Sequence, residues 1–457
     1  MQDGALLYPG SNLKEKSPLS SILKTSLPAV VDLSSQTLMW TIEAIFIGKI
    51  SAAAFGGVGM AIQVLIVSMA ILLTLIVGAS LIITRHLGAD KFWEANHILG
   101  QTMMIAVIMA LLLSLLWYFG APQVLNLIRD ESGEAKLAGV TYLKTVSLFG
   151  PFIVINFMAV GLIRGSGETF KSMCVSLLVN GTNIILAPIL IFGLFGFERL
   201  EVFGAALAVG ISHTIGFCTS LYLLRSRKCT LFLSFRELTT PNWRTFKRLI
   251  SAGLPTTIEQ LVWSLGLLVV STYAALIGIT VLAAHQVFLR IQSILSMIYM
   301  GFGFAAMTLM GKNLGAERRK LAEKTAETAS LVVFIFVFFI IAIVIIFSDS
   351  LISAFTNDPQ VIRTGAIVVK LFALVQIPKA VDGVLMGNLR GAGDLKWLMW
   401  ITIVSVLIFE IGFNWGIVFV FNLSIWGLWL MHIADETLRL ILNYWRYRGG
   451  KWKFIDV

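Results

Sequence analysis

Charge is scarce in this sequence. Only 13% of its 457 residues are charged, against about one-quarter in an average soluble domain. Hydrophobic residues make up 57%, and the mean hydropathy is +0.87. This composition excludes an ordinary soluble globular protein. Cysteine is scarcer still: Cys174, Cys218 and Cys229 are too few and too irregularly spaced for a disulfide framework or a thiolate metal cluster. No phosphate loop, histidine-rich metal site or nucleophile elbow occurs, so neither an enzyme activity with catalytic residues nor a cofactor is expected. The first 20 residues are polar and carry no apolar h-region, so no cleavable signal is expected.

What the sequence has instead is apolar runs. Each is about 20 residues or longer, enough to cross a hydrocarbon core of about 30 Å. They fall near 27–48, 57–84, 97–119, 138–163, 172–193 and 204–225, then near 249–276, 283–311, 325–347, 364–389, 397–421 and 425–444. An all-α polytopic membrane protein of twelve transmembrane helices is the expected fold class. With a cytoplasmic N-terminus, 25 of the 35 Lys and Arg residues fall on the cytoplasmic side. The positive-inside rule therefore puts both termini in the cytoplasm of a plasma (inner) membrane protein. The net charge of +10 is then a topology and anionic-lipid signal, and no nucleic-acid partner is expected.

The chain repeats itself. Pro28 matches Pro255, Asp32 matches Glu259 and Pro151 matches Pro378, each 227 residues apart. Leu87–Asp90 (LGAD) matches Leu314–Glu317 (LGAE) at the same spacing, and Arg164–Glu168 (RGSGE) matches Arg390–Asp394 (RGAGD) at 226. Six spans per half is an even number, so both halves insert in one orientation. Such lobes are related by a pseudo-two-fold axis along the membrane normal, and substrate lies between them. The expected organisation is a tail (1–20), an N-lobe (21–225), a basic connector (226–248), a C-lobe (249–445) and a basic tail (446–457).

In the RGxG-acid turns, Gly165, Gly167, Gly391 and Gly393 supply tight helix ends. Arg164 and Arg390 are expected to meet the last carbonyls and lipid head groups. Glu168 and Asp394 are placed to cap the following helices, and the LGAD and LGAE connectors read as structural. Ionisable residues inside spans are functional hypotheses. They are Asp32 and Glu43 in the first span, Glu259 in the seventh, Asp382 in the tenth, Glu410 in the eleventh and Asp435 in the twelfth. Glu259 lies about 15 Å deep and Asp382 about 12 Å from the same side, at 1.5 Å per residue. The two are expected to share a depth and bind H⁺ or Na⁺; the alternative for Asp382 is a local pair with Lys379. Asp32, Gln36, Trp40 and Glu43 fall on one helical face, suited to an organic cation through charge and cation–π contact. Trp263 and Phe302, with Met297, Met300, Met307 and Met310, are candidates for an adaptable pocket. Arg290 and Arg439 are expected to pair with acids or snorkel. His285 reads as a structural hydrogen bonder.

Gly253–Gln260 (GLPTTIEQ), Ala283–Ser293 (AAHQVFLRIQS), the LGAE connector and the RGAGD turn together resemble the multidrug and toxic compound extrusion (MATE) transporters. The resemblance runs from about residue 20 to Lys453. It implies two six-helix lobes around a central cavity, and export of organic, mostly cationic or amphipathic, small molecules in exchange for H⁺ or Na⁺. The C-lobe cation site of the NorM-like branch falls on Glu259 and Asp382, and a first-span acid on Glu43. An archaeal branch completes an N-lobe site with an Asn and an Asp four residues apart. Here Asn183 is present but Ala187 replaces the Asp, which favours the C-lobe. A monomer in contact with membrane lipids is expected. The competing functions are a lipid-linked saccharide flippase, which requires a cationic cavity, and a membrane-embedded transferase, which the short loops and matched halves disfavour.

Overall fold

The computed structural model describes residues 17–126, 133–353, 359–421, 423 and 425–455. Most of the N-terminal tail, Arg129 and the last two residues lie outside them. All regular structure among the described residues is helical. Contacts divide the chain into two compact units, one of Val31–Gly253 and one of Ser17–Val30 with Leu254–Val457. Helix α1 (Pro18–Gly48) contributes to both.

The first unit contains α2 (Ala52–Gly88), α3 (Phe92–Leu125), α4 (Glu134–Leu148), α5 (Gly150–Gly165), α6 (Thr169–Phe192) and α7 (Glu201–Arg225). Ser51 starts α2, its hydroxyl accepting from the Ala54 amide at 2.9 Å, and so satisfies one of the free donors of the first turn. Where α2 meets α4 the side chains vanish: a Cβ at Gly57 or Gly139 would run into the facing backbone. Small residues allow such close approach, the usual route to packing between helices that share an apolar solvent. The fourth span is broken. α4 and α5 meet at 67° around Phe149, with Pro151 in the first turn of α5, where its missing amide costs no hydrogen bond.

The connector, with short α8 (Phe235–Thr239), is stitched to the start of α3. His97 meets Glu237 at 2.6 Å, Gln101 donates to the Glu237 and Thr240 carbonyls and accepts from Asn242, and Asn96 accepts from Phe232. Burial, and then the carboxylate of Glu168, push the Cys229 thiol up to about 12.

The second unit contains α9 (Trp243–Ile277, from Leu254), α10 (Ile279–Gly315), α11 (Arg319–Ile346), α12 (Ser348–Ser353), α13 (Pro359–Ala392), α14 (Leu395–Ser405), α15 (Asn414–Phe419) and α16 (Ile425–Arg448). A π-helical segment, Val406–Phe413, joins α14 to α15. Helices α10 and α13 approach through Gly303, Gly387 and Gly391, each too close to opposing backbone to tolerate a Cβ without a shift. The apolar core alongside contains Tyr299, Phe302, Val333, Val337 and Val384. The C-terminal tail folds back: Trp452 is fully buried, stacks on Tyr447 at 5.2 Å and donates its indole N–H to the Tyr447 carbonyl at 2.7 Å.

The duplication survives in the backbone. Asp90 and Glu317 both take a left-handed conformation (φ 57° and 58°), as do Gly167 and Gly393 (φ 93° and 90°). Each pair ends the same helix in its own half. Nine helices among the described residues are long and apolar enough to span a membrane, and the bent α4–α5 pair makes a tenth. The other two expected spans, α13 and α16, form as helices but carry the charges described next.

Candidate functional site

The matched arginines reach carboxylates in the first helix of their own half. Arg164 reaches Asp32 at 3.3 Å, and Arg390 reaches Glu259 at 2.6 Å. The two landmarks of the repeat, a carboxylate in the first helix of each half and an arginine closing the fourth, are thus partners in one ion pair made twice. The reason is cost: a carboxylate at this burial is far more expensive to leave unpaired than a helix-end carbonyl. Asp32 also accepts from the Ser172 hydroxyl at 3.1 Å. Glu259 has less support, because its second oxygen lacks a hydrogen-bond partner among the described residues. The expected capping roles of Glu168 and Asp394 do not form either, since neither makes a side-chain cap. Glu168 instead accepts from Lys171 and Thr230, and Asp394 from Arg446 at 2.7 Å.

Asp382 on α13 is 1% exposed and accepts from Asn443 of α16 at 2.8 Å. It does not pair with Lys379. That lysine donates instead to Glu436 on α16, a stronger partner because it lies across the helix contact with its carboxylate aimed at the ammonium. Glu259 and Asp382 make no direct hydrogen bond, but both fall within electrostatic reach of the buried Arg439. Arg439 also lies 3.8 Å from Asp435 and donates to Thr402 at 3.2 Å.

The network continues past Lys379. His432 Nε2 is 3.4 Å from the lysine Nζ, and His432 Nδ1 is 2.7 Å from Glu410. Glu410 sits in the π-helical segment, whose wider turn carries its side chain onto α16; such segments recur at functional sites. Asn414 donates to it at 3.3 Å, and Ser405 donates to Asp435. Beside this cluster lies a cavity of about 30 Å³ lined by Trp263, His285, Gln292, Glu410, Trp429 and His432, with Asp435 at its edge. That volume accommodates roughly one or two waters or a small ion, not an organic molecule. Glu410, His432 and Asp435 bring donor atoms within 4.8 Å of one another. Lys379 and Arg439 already supply positive charge there, so the trio reads as a charge cluster rather than a metal centre.

Other expected site residues are scattered. The helical stripe divides: Asp32 and Glu43 are buried, Gln36 is half-buried and Trp40 is 47% exposed. Glu43 accepts from the Tyr142 hydroxyl at 2.8 Å and makes no contact with Asp32, eleven residues away. Asn183 and Ala187 are buried in α6, the Asn183 amide nitrogen unpartnered among the described residues. Phe302, Met307 and Met310 are buried packing residues rather than pocket linings. Trp263 does line the cavity, and so does His285, whose Nε2 meets Ser271 at 3.3 Å. His432 and Glu436 went unrecognised from sequence. The signal was there: His432, Asp435, Glu436 and Arg439 fall at i, i+3, i+4 and i+7, one polar face of the helix.

The MatE family model matches residues 28–189 and again 255–415, so its two copies begin at the 227-residue spacing read from the landmarks. A probable multidrug resistance protein NorM from Thermotoga maritima is 29% identical over 434 residues, covering 94% of this chain and 92% of that protein. The multidrug export protein MepA of Staphylococcus haemolyticus is 23% identical, covering 97% and 96%. Among solved structures, a MOP superfamily transporter from Pyrococcus furiosus superposes with a TM-score of 0.87 at 22% identity, over 96% of this chain and 97% of that one. A multidrug resistance MATE family transporter in an outward-facing conformation gives 0.87 at 21%, with the same coverage. With the family model covering both halves, this chain belongs to the MatE family.

Proposed function

We propose that this protein is a secondary active antiporter of the plasma (inner) membrane that exports organic, cationic or amphipathic compounds in exchange for H⁺ or Na⁺ by alternating access. Both termini face the cytoplasm, and a monomer surrounded by lipid is the working unit. One observation carries the reading: among the described residues of the second unit, six buried carboxylates, Glu259, Asp382, Asp394, Glu410, Asp435 and Glu436, face four cations, Lys379, Arg390, Arg439 and Arg446. A buried excess of negative charge is costly, and binding H⁺ or Na⁺ relieves it. Glu259 and Asp382 are the coupling carboxylates in this reading, with Glu43, Asp32 and Glu410 secondary. An ion that neutralises them favours one lobe arrangement, and substrate favours the other. The acidic excess also argues against a saccharide-pyrophosphate cargo, which needs cations. The names of the relatives, which speak of multidrug resistance and export, support the choice of cargo.

The test is uptake of a fluorescent organic cation into proteoliposomes under separate pH and Na⁺ gradients. Transport under one of them is expected, with loss in Glu259→Gln and Asp382→Asn. Normal pumping by both variants removes the assignment to these carboxylates, and no transport under either gradient removes antiport.

A further inference from the structure

The two missing positive charges do not both belong at Asp382. One end of the network, around Glu410, Asp435 and Glu436, lies on the far side of Lys379 and borders the cavity. A group there that can accept a proton without a carboxylate being neutralised, and that touches both Glu410 and Lys379, is His432. An ammonium only donates, so the 3.4 Å contact of Lys379 Nζ with His432 Nε2 is a hydrogen bond when the lone pair is on Nε2. The hydrogen then sits on Nδ1 and is donated to Glu410 at 2.7 Å. His432 is thus held between an acid and a cation, and a single ring hydrogen on Nδ1 satisfies both contacts.

We propose that His432 is a second proton-binding site, and that its protonation exchanges the partners of Lys379. This rests on the reading of the protein as an ion-coupled antiporter. A cavity water carries the proton to Nε2; one N–H bond forms, the hydronium gives up one O–H bond, and the ring gains a positive charge. Nε2–H and the Lys379 ammonium are then both donors, and their contact cannot persist. The nearest acceptor for Nε2–H is Glu436, 3.9 Å away at i+4 and until then the partner of Lys379. Lys379 is three residues from Asp382 on α13, so a proton taken up on α16 alters what holds the helix bearing the coupling aspartate. All the charged and titratable groups around His432 fit this exchange. Glu410 approaches from the π segment, Lys379 from α13 and His285 from α10; Asp435, Glu436 and Arg439 share α16. The cavity supplies room for the water but not for an organic cation.

The full-length protein labelled with ¹⁵N-histidine, in liposomes, gives a readout that does not require transport. His432 is identified by the signal missing in His432→Gln. The expected spectrum shows the Nδ1–H neutral tautomer at alkaline pH and a doubly protonated ring at acid pH. An Nε2–H tautomer, or no transition between about pH 5 and 9, overturns the proposal. In proteoliposomes, H432Q is expected to lower pH-driven export at least tenfold while leaving substrate affinity at alkaline pH within about twofold. Unchanged pH-driven export overturns the proposal even if Asp382→Asn abolishes it. Loss of Na⁺-driven export alone would make the cluster a Na⁺ site and overturns it as well. Should H432Q not fold, Lys379→Gln replaces it: removing the opposing cation must move the His432 transition to higher pH, and an unmoved transition refutes the exchange. If wild-type protein moves nothing under either gradient, the antiporter reading fails while the tautomer measurement still decides the histidine.

Discussion

Removing the guanidinium of Arg390 isolates one buried charge. In Arg390→Ala, Glu259 keeps its position at 5% exposure but loses its only hydrogen-bond donor among the described residues, since its other oxygen has none. Breaking a buried pair by removing one partner costs about 3–5 kcal/mol. The Arg390 side chain is 27% exposed, so water moderates the pair and the lower end, about 3 kcal/mol, is the expected loss. Adding Glu259→Gln removes the stranded charge and is expected to recover about 2 kcal/mol of that. The matched change Arg164→Ala should cost less through electrostatics, because Asp32 retains the Ser172 hydroxyl. The assay is SDS-titrated unfolding of purified protein followed by far-ultraviolet circular dichroism, arranged as a double-mutant cycle. Additivity of the two single changes to within about 0.5 kcal/mol, or a stable R390A protein, would refute the pairing argument.

Three further outcomes follow from packing and burial. Gly387→Leu drives a side chain into the Gly303 backbone of α10 and should cost at least about 1–3 kcal/mol, seen as aggregation on size exclusion with far-ultraviolet helicity retained. Trp452→Ala empties a fully buried site under the C-terminal tail, a loss of about 3–5 kcal/mol that should also expose the tail to trypsin at Lys451 and Lys453. Cys229, whose thiol is pushed up to about 12 by burial and by Glu168, is protonated at every pH below that value. Alkylation by iodoacetamide should therefore be negligible at pH 8 and rise only toward pH 12; rapid labelling at pH 8 would contradict the burial.

The fold was legible because it is written in length and repetition. Each apolar run is long enough to span, and the offset between Pro28 and Pro255 needs no contact information to be seen. The sites were legible only in part, because a sequence shows which acids are buried but not what faces them. Glu259 and Asp382 stood out as intramembrane carboxylates, yet Arg390 looked like a helix-end residue until its reach to α9 was visible. His432 was hidden for a different reason. Its face of α16 mixes a histidine, two acids and an arginine, and only their spacing, not any one residue type, ties them together. The break at Phe149 was equally unreadable: Pro151 and Pro378 occupy matching positions, but α5 begins at the first while α13 runs through the second.

The π-helical segment gives chain length a chemical meaning. A regular helix turns by about 100° per residue, so deleting a single residue within Val406–Phe413 would tighten the segment to an ordinary helix and rotate its side chains around the axis. Glu410 would leave His432, with every amino acid in the cluster unchanged. In such a segment a polar contact can be gained or lost by an insertion or deletion of one codon. Comparisons based on substitutions alone will not see it, and an alignment that closes the gap to improve identity will erase it.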